Sequence, residues 1–80
     1  MLDKVREFII DDEFELVLKE NSIFIKNYLK LGTLEEHTIS FYTKNKIVRI
    51  RGRQLSIKKI LEKDAFITGD ISIIEVQDER

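Results

Sequence analysis

The segment Ile50-Arg51-Gly52-Arg53-Gln54-Leu55-Ser56-Ile57 has a pattern that occurs again as Ile67-Thr68-Gly69-Asp70-Ile71-Ser72-Ile73-Ile74. In both stretches an alternating run reaches a glycine, and a second alternating run begins within two residues. Alternation is typical of β-strands, and an isolated glycine within it marks a bend or a bulge. The repeat therefore predicts short strands that bend at Gly52 and Gly69, where a β-carbon would strain the backbone.

Other alternating runs surround the repeat. The candidate strands are residues 14–19, 23–26, 38–43, 46–51, 54–60, 65–68 and 71–76. Polar turns at residues 19–22, 44–45 and 61–64 predict tight connections, whereas residues 28–34 are less regular. About seven short, mainly antiparallel strands predict an all-β domain, as a small sandwich, roll or barrel, with a short solenoid as the alternative.

The length of 80 residues allows a single domain with a small core. Its expected parts are an N-terminal helical segment at residues 1–12, a β domain at residues 13–76 and a tail at residues 77–80. The helix is predicted from the spacing of Leu2, Val5 and Phe8 or Ile9 behind Asp3, which can cap it. The best core candidates are Ile50, Ile57, Ile67 and Ile71.

Composition narrows the class of protein. With 42% hydrophobic and 36% charged residues and no apolar run near the ~20 residues of a membrane span, we expect a soluble protein. The N-terminus lacks the features of a secretory signal, so we expect a cytoplasmic location. Cysteine is absent, which excludes disulfides. Proline is absent too, so strand edges must be protected by charge or by partners.

The sequence predicts no catalytic, cofactor or metal site. His37 follows Glu35 and Glu36, but three consecutive residues cannot converge on an ion without help from elsewhere. The acidic run at residues 11–13 does not have the spacing of a calcium loop and is interpreted as a solvated turn. No serine stands in a nucleophile motif, and the glycines form no phosphate-binding loop.

Charge is distributed unevenly, although the net charge is only -1. Residues 44–63 contain eight basic side chains and one acidic side chain, a net +7, so the rest of the chain carries -8. If residues 46–53 form a strand, alternation places Arg49, Arg51 and Arg53 on one face and Val48 and Ile50 on the other. This places a basic stripe on the domain surface.

Two interpretations of the stripe remain open. It can be a docking surface for phosphate, nucleic acid or an acidic protein, or its arginines can pair with acids on a neighbouring strand. The candidate partner-binding residues are Arg49, Arg51, Arg53, Lys46 and Tyr42. Because the protein is slightly acidic overall, general nucleic-acid binding is disfavoured.

Residues 15–76 resemble the YabP/YqfC family of bacterial sporulation proteins, and more closely its YqfC branch. The resemblance rests on an isoleucine-rich strand that ends in Asn27-Tyr28 and on the paired Ile-x-Gly units. The matching segments are Ile23-Phe24-Ile25-Lys26-Asn27-Tyr28, Ile39-Ser40-Phe41-Tyr42-Thr43, Ile50-Arg51-Gly52 and Ile67-Thr68-Gly69-Asp70-Ile71. One departure is that Leu29-Lys30-Leu31 separates Tyr28 from the next glycine.

The resemblance implies a role in endospore formation, with coat assembly as one such role, and implies no enzymatic activity. It also marks Asn27, Tyr28, Gly52 and Gly69 as structural positions. We therefore expect a structural or adaptor module that associates with itself or with another protein, in the mother cell or at the developing spore surface. The alternative is a small nucleic-acid-binding barrel that uses the basic stripe.

Overall fold

A computed structural model describes residues 14–78. Within this range the chain forms six β-strands and no helix. The strands are β1 (Glu15–Lys19), β2 (Ser22–Lys26), β3 (Lys30–Leu34), β4 (Thr38–Tyr42), β5 (Lys46–Leu61) and β6 (Asp64–Asp78). The predicted all-β class is confirmed for these residues, and the helix predicted within residues 1–12 lies outside them.

All neighbouring strands pair antiparallel in one open sheet, in the order β1-β2-β6-β5-β4-β3. The outer strands β1 and β3 do not pair with each other. The sheet is therefore neither a closed barrel nor a solenoid of stacked repeats. The repeat instead lies along two long neighbouring strands, β5 and β6.

The described residues form six strands, where the sequence predicts about seven. The runs at 46–51 and 54–60 belong to the single strand β5, and those at 65–68 and 71–76 to β6, because the two strands stay paired on both sides of each glycine. Residues 30–34 do not alternate regularly, yet they form the outer strand β3. Within this strand the Thr33 amide donates a hydrogen bond to a side chain of β4, the Ser40 Oγ, at 2.7 Å.

Two residues of the expected tail at residues 77–80 lie in the sheet, and residues 79 and 80 lie outside the described residues. Gln77 and Asp78 belong to β6, where they pair with Ile47 and Lys46. The three expected tight connections are confirmed, because the residues that flank each one are directly paired. The flanking pairs are Lys19 with Ser22, Thr43 with Lys46, and Leu61 with Asp64.

The long strands pass through two halves of the sheet, which we call the first and second wing. The first wing contains β1, β2 and residues 56–61 and 64–68; the second contains β3, β4 and residues 46–51 and 71–78. Register shifts at Arg51/Gly52 and at Arg53/Ser56 lie between the wings, and such bulges bend a sheet. A straight strand of the length of β5 would span roughly 50 Å at about 3.3 Å per residue. Because the longest dimension of the molecule is only 41 Å, β5 is bent.

The two wings bury one core between them. Its fully buried large side chains come from both wings: Ile23, Ile25 and Ile67 from the first, and Ile39, Phe41, Val48 and Ile50 from the second. Ile50 and Ile67 are thus confirmed as core residues. Ile57 and Ile71 are only partly buried against this cluster, because both lie beside register shifts.

In the first wing, the Ile-x-Gly unit has a defined structural role. Ile67 pairs with Ile23 of β2, and both side chains are buried in the core. Two residues further along, the amide of Gly69 donates a hydrogen bond to the carbonyl of Asn21, in the turn before β2, at 3.2 Å. The isoleucine therefore fills the core while the glycine holds the adjacent hairpin turn.

The second wing repeats these relations with different residues. Ile50 pairs with Ile39 of β4, and the amide of Gly52 donates to the carbonyl of His37 at 3.0 Å. His37 precedes Ile39 by two positions, as Asn21 precedes Ile23. The repeat in the sequence thus corresponds to two hairpins that attach in the same way to the two long strands.

Candidate interaction surface

The basic stripe lies mainly on the outer face of the second wing, the side opposite the core. Val48 and Ile50 are fully buried, and alternation along β5 therefore points Arg49 and Arg51 outward, as expected. Arg53 lies beyond the register shift that follows Arg51, so the simple alternation does not extend to it. The outward part of the stripe is therefore Arg49 and Arg51, and it is interrupted at the bend, whereas Lys46 shares the face of Val48 at the start of β5.

Lys46 and the three arginines of the stripe each meet an acceptor on the neighbouring strand β6. Lys46 Nζ lies 2.6 Å from Asp78 Oδ1, and Arg49 Nη1 donates to Gln77 Oε1 at 2.6 Å. Looser ion pairs join Arg51 to Glu75 at 3.6 Å and Arg53 to Asp70 at 3.8 Å. Pairing across strands, one of the two interpretations of the stripe, is therefore present in the structure.

These contacts leave the stripe accessible. The side chains of both Arg51 and Glu75 are more than two fifths exposed, and those of Arg53 and Asp70 are more exposed still. Exposed ion pairs contribute about 0 to 1 kcal/mol to stability, so a partner can displace them at little cost.

The pKa of the Asp78 carboxyl is lowered below its usual value. The larger cause is the hydrogen bond from Lys46, and the second is the positive charge of the same lysine.

Tyr42 lies beside the stripe, at the end of β4, and pairs with Ile47 of β5. The Nζ of Lys30, on the outer strand β3, lies 5.0 Å from the centre of the Tyr42 ring, which is the geometry of a cation–π contact. The ring is half-buried. Its face is therefore engaged by a lysine, which leaves less of it for stacking on a nucleic-acid base.

Arg53 lies instead in an open hollow at the bend. The hollow is lined by Glu36, His37, Arg53, Gln54 and Asp70. Gln54 has a φ of 55°, and the amide of the following Leu55 donates to the carbonyl of Glu36 at 2.9 Å. His37 and Glu36 are thus held in the β3–β4 turn by backbone hydrogen bonds to the bend, while their side chains are exposed.

Asn27 and Tyr28, which directly follow β2, connect the two wings. Asn27 has a φ of 63°, a conformation that asparagine adopts more readily than most residues, and its amide donates to Asp64 Oδ1 at 3.3 Å. Tyr28 is 5% exposed, and its ring centre lies 5.0 Å from that of Phe41 in the second wing. The two residues therefore turn the chain from one wing into the core of the other.

Other classes of site are not assembled in the part of the chain that the structure describes. No group of three or more histidine, cysteine, aspartate or glutamate side chains among residues 14–78 is placed to hold a metal ion. The acidic run at residues 11–13 lies outside this range. The described residues also contain no helix that could span a membrane.

Four strand edges of the described sheet have no neighbouring strand. They are β1, β3, residues 56–61 of β5 and residues 71–78 of β6; we call the last two the β5 edge and the β6 edge. Eight large apolar side chains among the described residues remain 39% to 58% exposed, and all but Leu29, which directly precedes β3, belong to these edges. They are Val17 and Leu18 of β1, Leu29 and Leu34 at the ends of β3, Ile60 and Leu61 of the β5 edge, and Ile73 and Val76 of the β6 edge.

The sequence predicts association through strand edges but does not identify which edges are free. The absence of proline indicates that strand edges lack one common form of protection. Which halves of β5 and β6 are free depends on the strand order, and the strand order depends on how the two hairpins attach at the bend. No local sequence signal reports that attachment.

Comparison of the chain with protein-family models, with curated proteins and with solved structures finds no match.

Proposed function

We propose that this protein is a non-enzymatic structural or adaptor module in endospore formation, with spore coat assembly as one setting, and that it acts through protein–protein association. The YabP/YqfC resemblance of residues 15–76 supports the sporulation setting. Its location would then be the cytoplasm of the mother cell or the surface of the developing spore.

The observation that carries the association is the distribution of exposed apolar side chains. Seven of the eight belong to strand edges that lack a neighbour within the described sheet, and the eighth, Leu29, directly precedes β3. An exposed edge with apolar side chains is a template for another strand, and strand addition is a common mode of recognition. These edges favour a binding module whose partner completes the sheet.

The basic stripe provides a second contact in this proposal. An arginine side chain has five N–H donors, so Arg49 and Arg51 can bind acceptors of a partner while they keep their contacts on β6. The partner-binding set stays Arg49, Arg51, Arg53, Lys46 and Tyr42. Neutral replacements are the better test of this set, since reversed charges would place acids against Glu75 and Asp70.

The test is a fluorescent fusion of the full chain expressed in a spore-forming bacterium. We expect fluorescence to concentrate at the developing spore. We also expect the variant R49Q/R51Q/R53Q to remain folded and to lose part of this localisation. The control K44Q/K63Q removes charge from two turns instead. Diffuse fluorescence of the unmodified fusion throughout sporulation would overturn the proposal, and unchanged localisation of the arginine variant would remove the stripe from it.

Nucleic-acid binding by the stripe is the alternative function. Its basis is the run of arginines on one outer face; the contacts of these arginines with β6 and of Tyr42 with Lys30 count against it. The alternative predicts binding to an oligonucleotide that weakens steeply as salt is raised. Binding with that salt dependence, lost in R49Q/R51Q/R53Q, would favour the alternative over the association module.

A further inference from the structure

We propose that copies of this chain associate head to tail, with the β6 edge of one copy paired antiparallel to the β5 edge of the next. The inference rests on the proposed function, association through strand edges. It adds the partner, which is a second copy, and the two edges that meet.

Within the described sheet both edges are open, because the hairpins cover only part of each long strand. β2 pairs with β6 from Asp64 to Thr68, and β4 pairs with β5 from Lys46 to Arg51. Beyond these limits, the outer side of residues 71–78 and of residues 56–61 meets no other strand of the described sheet. The backbone groups on these sides can therefore pair with an added strand.

The charges of the two edges select a head-to-tail contact. The β5 edge carries Lys58 and Lys59 and no acid, whereas the β6 edge carries Glu75 and Asp78 and no base. A symmetric contact of two β5 edges would bring lysines together, and one of two β6 edges would bring carboxylates together. Like charges on facing strands are destabilising, so only the mixed contact joins opposite charges.

The side chains match in one antiparallel register. Placing Lys59 opposite Glu75 puts Ile60 opposite Ile74 and Leu61 opposite Ile73. Ile60 pairs with Ala65 in its own wing and Ile74 with Ile50, so both point to the core side of the sheet. The contact thus aligns the faces of the two sheets and sets apolar residues against each other beside a lysine–glutamate pair.

The two edges lie on opposite sides of the described sheet. In the order β1-β2-β6-β5-β4-β3, the outer side of the β6 edge faces the β1 end of the order, and that of the β5 edge faces the β3 end. Because the two contact sides are opposite each other, the contact repeats and builds an open filament or a ring.

The test is the mass of the purified full chain by sedimentation velocity over a range of protein concentrations and at low and high salt. We expect species larger than two chains that grow with concentration and shrink with salt. Two variants, K58E/K59E and E75K/D78K, should each be monomeric. An equimolar mixture of the two should regain the large species, because every contact in an alternating assembly again joins opposite charges.

The controls separate this inference from simpler outcomes. K44E/K63E has the same change in charge as K58E/K59E but lies in turns, and it should assemble like the unmodified chain. Lysines on an edge also deter unwanted pairing; if that is their role, K58Q/K59Q will raise the mass, which would overturn the inference. Recovery in the mixture excludes misfolding of the single variants, since each must then present working edges.

The outcomes also distinguish this inference from the proposed function. A chain that stays monomeric or stops at two copies, while its fusion still concentrates at the spore, overturns the head-to-tail contact alone. Assembly in vitro with a fusion that remains diffuse overturns the proposed setting and keeps the contact.

Discussion

The backbone of Gly52 lies so close to Asp70 on the neighbouring strand that a β-carbon at position 52 would overlap the Asp70 carbonyl oxygen. The atom in the way belongs to the backbone of β6 and cannot rotate aside. We therefore expect Gly52→Ala to lower the free energy of unfolding by about 3 kcal/mol, the upper range for an inserted carbon that has no room. Denaturant unfolding followed by circular dichroism measures this change.

The control for this prediction is Ser72→Ala, an exposed position on β6 that should change stability by less than about 0.5 kcal/mol. Gly69→Ala should also destabilise, since Gly69 has a φ of 139° and its β-carbon would lie 2.7 Å from the Gln54 carbonyl oxygen. Equal stability of Gly52→Ala and the unmodified chain would show that the two strands separate easily at the bend.

Two isoleucines that pair with each other should lose different amounts of stability when each is replaced by alanine. Ile67 has no exposed surface, whereas Ile57, directly opposite it on β5, is only partly buried. We expect Ile67→Ala to cost about 3 to 4 kcal/mol and Ile57→Ala about 1 to 2 kcal/mol, because less apolar surface leaves water at position 57. Thermal unfolding compares them, and equal losses would contradict the burial difference.

The glycine repeat shows how far the sequence predicts this fold. Alternation and the glycines correctly predicted strands and a bulge at Gly52, because each is a local property of the chain. Whether a strand stops or continues through such a glycine depends on its neighbours. The amides of Gly52 and Gly69 donate hydrogen bonds to carbonyls in the hairpin turns, and β5 stays paired with β6 on both sides of each glycine, so two short runs become one strand.

The candidate surface was less accessible to prediction for a related reason. Arg49 and Arg51 were correctly placed on one face because they alternate with buried residues of the same strand. Their acceptors on β6 are more than 20 residues away, and only the register between the long strands brings them together. The β5 and β6 edges likewise follow from long-range strand order, which no local pattern encodes.

Backbone strain at Glu62 predicts a stabilising change. Glu62 begins the turn between β5 and β6 with a φ of 42°, which costs an ordinary side chain more than it costs asparagine. We expect Glu62→Asn to raise the free energy of unfolding by about 0.5 to 1 kcal/mol. Lys63→Asn is the matched control, because Lys63 does not have a positive φ. A gain of the same size at both positions would assign the effect to composition rather than to conformation.

The contact between Lys46 and Asp78 predicts a pH dependence. Because the hydrogen bond from Lys46 lowers the pKa of the Asp78 carboxyl in the folded state, the contact stabilises the fold above the ordinary carboxyl pKa. That stabilisation is lost as the pH falls through the lowered pKa. In a carboxyl-carbon NMR titration, the Asp78 midpoint should lie below that of an ordinary aspartate and should rise in Lys46→Met. Lys58→Met, which removes a lysine without an ion-pair partner among the described residues, should leave the midpoint in place. An Asp78 midpoint that is the same in Lys46→Met as in the unmodified chain would mean that the 2.6 Å contact does not persist in solution.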